Sequence, residues 1–96
     1  MKRDNPTPRI CLYGVDSAES TRRAQANLTR AFSVLGLDGL TIEFVDVIRH
    51  PQRTFEDGVL VTPTLIVLTG DRRHVIVGTV EDPGILEEIL SGRAAE

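Results

Sequence analysis

Apolar residues fall along the chain in groups whose spacing alternates between that of a strand and that of a helix. A short apolar run over residues 9–13 predicts a buried first strand that ends at Gly14. The next apolar positions follow at i, i+4, i+7, i+8 and i+11, which is one face of a helix: Ala24, Leu28, Ala31, Phe32 and Leu35. We expect Asp16 to cap this helix with Glu19 reaching back, and Gly36 to end it.

Alternating apolar and polar side chains over residues 40–47 predict a second strand with one buried face. A strand, a long helix and a second strand make a βαβ unit, so we expect these two strands to be parallel with a right-handed crossover. A short helix should follow, with Pro51 at its first position and Phe55 folded inward. Gly58 then releases the chain from that helix.

Two apolar runs around a short glycine-containing loop predict a hairpin in the C-terminal half. Its strands are residues 64–69 and 74–78, and its turn is residues 70–72. Asp82 should cap a last helix that ends at Gly92. The apolar face of that helix would be Ile85, Leu86, Ile89 and Leu90. The resulting order, β-α-β-α-β-β-α, predicts an α/β fold of the thioredoxin-like type.

A proline between two threonines, Thr62-Pro63-Thr64, precedes the third predicted strand. Proline cannot donate a hydrogen bond to a β-ladder, so it suits the first residue of a strand. A trans proline at an ordinary strand start fits this stretch. A cis proline also fits, because an X–Pro bond adopts the cis form at modest cost. The predicted element order favours cis, since thioredoxin-like folds present a proline loop beside the end of their first strand.

The length of 96 residues suits one small domain, which we place at residues 9–92 between tails at 1–8 and 93–96. With 41% hydrophobic and 26% charged residues, the composition is that of a soluble globular protein. The net charge of −3 argues against nucleic-acid binding and against a polybasic membrane anchor. No apolar run approaches the roughly 18 residues of a membrane span, and the N-terminus does not resemble a signal peptide. We therefore expect a cytoplasmic protein.

Thiol chemistry is not expected, although the predicted fold is common among redox enzymes. Such an enzyme needs a thiolate at the N-terminus of its first long helix, where the helix dipole lowers the cysteine pKa. Ser17 and Ser20 occupy the matching positions. The one cysteine, Cys11, lies within an apolar strand, where a small buried hydrophobic role is expected, and it cannot form an internal disulfide.

No metal, cofactor or catalytic motif is apparent in the sequence. His50 and His74 have no partners at metal-binding spacing, and no glycine-rich phosphate loop occurs. The pairs Arg22-Arg23 and Arg72-Arg73 are expected on the solvated surface, with a smaller chance of contacting a partner. We therefore expect a protein that is not an enzyme. A small fold without catalytic groups most often binds another protein.

Several short stretches together resemble the KaiB proteins of the circadian clock. They are Leu12-Tyr13, Arg23-Ala24, Val45-Asp46-Val47-Ile48, Pro51-Gln52, Val61-Thr62-Pro63-Thr64-Leu65, Arg72-Arg73 and Val75-Ile76-Val77-Gly78. The resemblance covers roughly residues 9–80. Its most specific part is the combination of Asp-Val-x-x-x-Pro-Gln with a following Thr-Pro-Thr-Leu.

This resemblance implies a regulator that is not an enzyme. KaiB proteins bind the N-terminal ATPase ring of the clock kinase KaiC and oppose KaiA, and some KaiB-like proteins act in stress responses beside a KaiC-like partner. We therefore expect binding to a KaiC-like ATPase in a clock or a clock-derived stress response. The alternative is a thioredoxin-like domain that binds another signalling partner, such as a histidine kinase. The third hypothesis is an enzyme, for example a glutathione-dependent one, that uses the proline loop.

The family is also known for two folds, a tetramer with a fold of its own and a thioredoxin-like monomer that binds KaiC. This chain has Gly70-Asp71-Arg72 where relatives often carry a run of prolines. It has Ile89 and Ser91 where they have glycine and aspartate, and the typical acidic tail is absent. We therefore predict that the chain rests in the thioredoxin-like form and switches rarely. It would be a monomer or weak oligomer, with a tetramer possible only in the other fold.

The resemblance implies that the partner surface lies along the second strand and the short helix after it. Asp46, Arg49, Gln52 and Arg53 are the candidates for contact with the partner. Glu43 and Gly58 stand at positions that are often lysine in the family.

Overall fold

The computed structural model describes residues 7–91, which form three helices and four strands. The strands are β1 (Arg9–Gly14), β2 (Ile42–Asp46), β3 (Thr64–Thr69) and β4 (Arg72–Val77). The helices are α1 (Glu19–Val34), α2 (Pro51–Glu56) and α3 (Pro83–Ser91). Their order along the chain is the predicted one. Residues 1–6 of the N-terminal tail predicted at 1–8, the C-terminal tail predicted at 93–96 and the helix end predicted at Gly92 lie outside the described residues.

The four strands form a single sheet in the order β2-β1-β3-β4. β1 is parallel to β2 and antiparallel to β3, and β3 is antiparallel to β4. The predicted parallel pair and the predicted hairpin are therefore both present. β1 and β3 lie in the centre of the sheet, which explains why their sequences are almost continuously apolar.

The main core lies between one face of the sheet and the two longer helices. Its buried side chains come from β1, β3, α1 and α3, and they include Ile10, Leu12, Ala24, Leu28, Phe32, Leu65, Val67, Leu86 and Ile89. Full burial of one such side chain stabilises the fold by roughly 1.5–3 kcal/mol. The apolar faces predicted for α1 and α3 are the faces that pack here, although Ile85 stays 43% exposed.

The opposite face of the sheet carries a smaller buried cluster of Cys11, Tyr13, Val45 and Ile66. Cys11 is 4% exposed, so its expected role as a small buried side chain is confirmed. α2 covers this face only on the side of β2 and β1. Beyond that helix, Val75 and Val77 of β4 remain 47% and 63% exposed.

The capping box predicted for α1 is wrong. The helix begins at Glu19, and its N-cap residue is Ala18, whose side chain makes no capping hydrogen bond. Asp16 lies two residues before that N-cap because a turn, closed by the Ala18 N–H to the Val15 carbonyl at 2.9 Å, comes between them. At the other end, Gly36 adopts the expected left-handed conformation, with φ +72°.

The predicted inward position of Phe55 is also wrong, because its side chain is 83% exposed. Arg53 and Asp57, four residues apart, both point toward the sheet, where they contact Glu43 and Tyr13. Phe55 lies two residues from each of them, and residues spaced in this way do not share a helix face. The polar contacts of α2 therefore turn its one aromatic side chain toward solvent.

The hairpin is tighter than predicted. β4 begins at Arg72 and ends at Val77, so the turn consists of Gly70 and Asp71 alone. Gly70 adopts φ +59°, a conformation that glycine tolerates without strain. The Asp82 cap of α3 is confirmed, since its Oδ1 accepts a hydrogen bond from the Gly84 N–H at 2.9 Å.

Candidate protein-binding surface

The proline loop lies at the end of the central strand β1. The Thr62–Pro63 peptide bond is cis, as the element order favoured. Pro63 and Thr64 are buried, and Thr64 pairs with Tyr13 at the end of β1. The Pro63 carbonyl accepts a hydrogen bond from the Gly78 N–H at 2.9 Å, which ties the loop to the end of β4.

The groups beside this loop do not include a reactive thiol. Ser17 and Ser20, at the start of α1, are exposed hydroxyls. Burial raises the pKa of the Cys11 thiol, and a hydrogen bond to Glu43 at 3.4 Å adds to that effect. The thiolate form is therefore disfavoured. Over residues 7–91, no group of three or more His, Cys, Asp or Glu side chains is arranged to hold a metal ion.

Four apolar side chains around α2 and the loop after it are exposed to solvent. They are Ile48 (70%), Phe55 (83%), Leu60 (92%) and Val61 (51%), and we call them the apolar rim. Gly58 follows α2 and adopts φ +75°, and the Val59 N–H donates to the Thr54 carbonyl at 3.1 Å, which closes the last turn of the helix. All four fall within residues 48–61 of the chain, and exposed apolar residues that form a patch mark sites of protein interaction.

A chain of charged contacts runs from β1 through β2 and α2 to β4. Arg9 lies 3.4 Å from Glu43, and Glu43 lies 2.8 Å from Arg53. Arg53 lies 3.7 Å from the Asp57 carboxylate, and Arg73 donates a hydrogen bond to the Asp57 backbone carbonyl. We call these five residues the charge arc. These contacts connect α2 with the strands of the sheet.

Contacts in the charge arc shift the pKa values of two of its members, Glu43 and Arg53, and of the neighbouring Tyr13. The hydrogen bond from Arg53 lowers the pKa of Glu43 to about 2, and the bond from Cys11 acts in the same direction. The pKa of Arg53 is raised, mainly by its hydrogen bond to Glu43. Burial raises the pKa of Tyr13 to about 12, helped by the hydrogen bond that its hydroxyl donates to Asp57.

Comparison with known proteins decides the family. A model of the KaiB domain matches residues 3–91. This chain belongs to the KaiB family. The circadian clock protein KaiB3 of Synechocystis is 31% identical over 81 residues, which are 84% of this chain and 76% of that protein. The chain is therefore a clock-related, KaiB-like protein.

Solved structures similar to this KaiB-family chain share its thioredoxin-like fold. The N-terminal domain of Synechococcus elongatus SasA superposes with a TM-score of 0.68 at 19% identity, over 96% of this chain and 90% of that domain. Thioredoxin-2 of the malaria parasite superposes with a TM-score of 0.73 at 13% identity, over 94% and 86%. Thioredoxin of Fasciola hepatica gives 0.68 at 11% identity, over 91% and 81%. The predicted fold class is confirmed.

The residues that the KaiB resemblance singled out lie together at the end of β2 and on α2, but their surroundings differ. Asp46 is half-buried and accepts a hydrogen bond from the Ile48 N–H at 3.0 Å. Arg49 is 80% exposed, 3.8 Å from Asp46, and Gln52 donates to Glu56 at 3.1 Å. Arg53 is held within the charge arc. Their contact with a partner stays a prediction.

The sequence analysis missed both the apolar rim and the charge arc. Arg73 is exposed, as expected, but its guanidinium also contacts Asp57 at the C-terminal end of α2. Its contact with Asp57 spans 16 residues, and the contact of Arg9 with Glu43 spans 34. No local spacing rule reports such pairs. The polar position of Glu43 within an alternating strand was the one available signal.

Glu43 should make the free energy of unfolding of this KaiB-family protein depend on pH in the acidic range. Its pKa falls from an ordinary 4.5 to about 2 on folding, so its stabilising effect is complete above pH 4.5 and is lost as the pH falls toward 2. We expect Glu43→Gln to flatten the dependence of the free energy of unfolding on pH across that window. Urea unfolding between pH 6 and pH 2.5 would measure it, with the exposed Glu56→Gln as control. Equal slopes in Glu43→Gln and the unmodified protein would contradict the role of Glu43.

Among residues 7–91, no helix is long and apolar enough to cross a membrane.

Proposed function

We propose that this protein is a regulator without enzymatic activity that binds a KaiC-type ATPase, in a circadian clock or in a clock-derived stress response. Its membership of the KaiB family and its similarity to the circadian clock protein KaiB3 support this proposal. The observation that carries it is the apolar rim, which exposes Phe55 and Leu60 beside the candidate residues Arg49 and Gln52. Apolar anchors surrounded by polar side chains are what a protein partner engages.

The proposal of a protein without catalysis rests on the groups around the proline loop. A thioredoxin-type reaction needs a low-pKa thiolate beside that loop. Serines stand at the start of α1, and a serine hydroxyl without an adjacent base is a weak nucleophile. The buried Cys11, with its raised pKa, is poorly suited to replace such a thiolate. Together these features favour binding over turnover, in a protein that needs neither cofactor nor metal.

We further propose that the thioredoxin-like form is the resting state of this chain and that it is monomeric or weakly associated. Ile89 is 6% exposed within the core, where the resemblance implies a glycine in relatives. The Ser91 hydroxyl donates to the Glu88 carbonyl at 3.1 Å within the last turn of α3. Gly70 and Asp71 form a tight two-residue turn. Each of these features contributes to the stability of a hairpin followed by a helix, which supports the proposal.

The double substitution Phe55→Ala, Leu60→Ala should weaken binding to the KaiC-type ATPase of the same organism by at least about tenfold, as expected when central apolar anchors are truncated. Surface-immobilised KaiC-type protein and biolayer interferometry would measure the dissociation constant. Val34→Ala is the matched control, because Val34 is 73% exposed on α1 and lies outside the rim. We expect this control to bind normally.

Two results would count against the proposal. The unmodified protein could fail to bind the KaiC-type ATPase at micromolar concentration, which would remove that partner. The double variant could instead bind as tightly as Val34→Ala, which would remove the apolar rim as the interface. Either result would be informative only with folded variants, and far-UV circular dichroism checks that folding.

A second candidate is a thioredoxin-like domain that binds a different signalling partner, such as a histidine kinase. The thioredoxin-like fold that the chain shares with the SasA N-terminal domain and with thioredoxins is compatible with this candidate as well as with the first. Binding to a sensor kinase of the organism that an excess of the KaiC-type protein does not compete away would select this candidate over the first.

A further inference from the structure

The open part of the second sheet face contains a groove of about 320 Å³ between α2 and β4. Its floor is formed by Ile66 and Leu68 of β3, with Cys11 of β1 beside them. Arg53 lines the groove from α2, Arg9 from β1 and Arg73 from β4. A volume of this size is at the lower end of the range for small-molecule sites.

The strand register fixes how the two outer arginines face each other. Arg9 pairs with Leu68 across β1 and β3, and Leu68 pairs with Arg73 across β3 and β4. Residues that pair directly lie on the same face, so the two arginines flank Leu68 in one row. Two strand spacings separate their Cα atoms, roughly 10 Å, and long arginine side chains can both reach a group placed above Leu68.

The charge arc alternates in sign and has a cation at each end. Within it, Glu43 and Asp57 each lie between two arginines. The carboxylate of Glu43 is shared between Arg9 and Arg53, and Arg73 contacts a backbone carbonyl rather than a carboxylate. Among the described residues no carboxylate pairs with Arg73 within 4.0 Å. The lining of the groove therefore contains three guanidinium groups and one carboxylate, that of Asp57, on a chain whose net charge is −3.

We propose that this groove binds a small amphipathic anion, with its carboxylate or phosphate head between Arg9 and Arg73 and its apolar body over Ile66 and Leu68. Guanidinium groups bind such oxyanions through paired hydrogen bonds. An anion at this position would place a negative charge between Arg9 and Arg73, the two cations at the ends of the charge arc. The exposed Val75, in the same row as Ile66, extends the apolar surface toward β4.

This inference goes beyond partner binding, because Arg9 and Arg73 belong neither to the apolar rim nor to the candidate partner residues. The test titrates the full-length ¹⁵N-labelled chain with phenylacetate, with phenyl phosphate and with the uncharged phenylacetamide. We expect saturable amide shifts in β1, β3 and β4 with the two anions, at millimolar or tighter dissociation constants for probes of this size. Phenylacetamide should produce none. The anion with the lower dissociation constant identifies the preferred head group, carboxylate or phosphate.

Substitution of the end arginines provides the second arm of the test. Arg73→Gln should weaken binding of the anions about tenfold or more, because a hydrogen bond to a charged group is lost. Arg9→Gln should act in the same direction and keeps the test valid if Arg73→Gln loosens α2. Arg72→Gln is the matched control: it removes the same charge from the adjacent residue, which points to the other face of β4. Its affinity should stay within about twofold of the unmodified chain.

Three results would overturn the proposal. The anions could produce no saturable shift, or phenylacetamide could bind as well as phenylacetate. Arg72→Gln and Arg73→Gln could also weaken binding equally, which would indicate attraction to overall positive charge rather than a site. None of these results bears on the KaiC-type partner, which is tested with substitutions in the apolar rim.

Discussion

Replacing Ile89 by glycine should destabilise the fold by about 3–5 kcal/mol and reduce its helical content. Ile89 is 6% exposed and packs in the main core, and truncation of a buried isoleucine to alanine costs roughly 2–5 kcal/mol. Glycine within a helix adds up to about 1 kcal/mol relative to alanine. Small domains are stable by only about 5–15 kcal/mol, so this loss would be a large share of the total.

Urea unfolding followed by circular dichroism would measure this loss. Ile85→Gly is the matched control, because Ile85 lies on the same helix but is 43% exposed. It introduces the same backbone flexibility, and with less burial lost it should cost about 1–2 kcal/mol. Equal losses in the two variants would mean that helix propensity, not the packing of Ile89, determines the stability of α3.

Substitution of Gly14 by alanine should be the second large effect, a destabilisation of about 2–4 kcal/mol. A Cβ atom at Gly14 would lie 2.5 Å from the Oγ1 atom of Thr21, so Thr21, which is only 1% exposed, would have to shift within a packed interior. Overpacking of this kind typically costs about 1–3 kcal/mol. This shift of Thr21 would also break the hydrogen bond from the Val15 N–H to Thr21 Oγ1, now 3.0 Å, and leaving a partly buried donor unpaired adds about 1–3 kcal/mol.

The design of this experiment separates crowding from other effects of alanine. Gly39→Ala is the control, since nothing lies within 4 Å of a Cβ there, and it should be neutral or slightly stabilising. In the double variant Gly14→Ala, Thr21→Ala the clash is gone, so its loss should be smaller than the sum of the two single losses. Strict additivity in this double-mutant cycle would contradict the contact.

The sequence predicted the fold well where one periodicity dominated. The apolar face of α1 and the runs of β1 and β3 require burial, and burial leaves little choice of arrangement. Thr62-Pro63-Thr64 was informative because proline has no N–H to donate to the sheet, which restricts it to the start of a strand. Features that depend on one or two hydrogen bonds were predicted less well. Asp16 fits a capping box in sequence, but the Val15–Ala18 turn moves the helix start beyond its reach.

The candidate site was predictable in position but not in composition. The resemblance to KaiB led to α2, and Arg53 lies there as expected. Phe55 was misplaced because an aromatic residue in a short helix is normally buried, whereas here Arg53 and Asp57 occupy the side of α2 that faces the sheet. The charge arc joins residues from four elements. Its contacts depend on tertiary structure, which no local pattern in the sequence reports.

The central claim is that a KaiB-family chain rests as a thioredoxin-like monomer whose last element is a helix. Backbone chemical shifts from solution NMR, recorded on the full chain together with its sedimentation coefficient, test this most directly. The account predicts helical shifts throughout residues 83–91, a two-residue turn at Gly70 and Asp71, and the mass of one chain. Strand-like shifts over residues 83–91, or a four-chain particle, would contradict it.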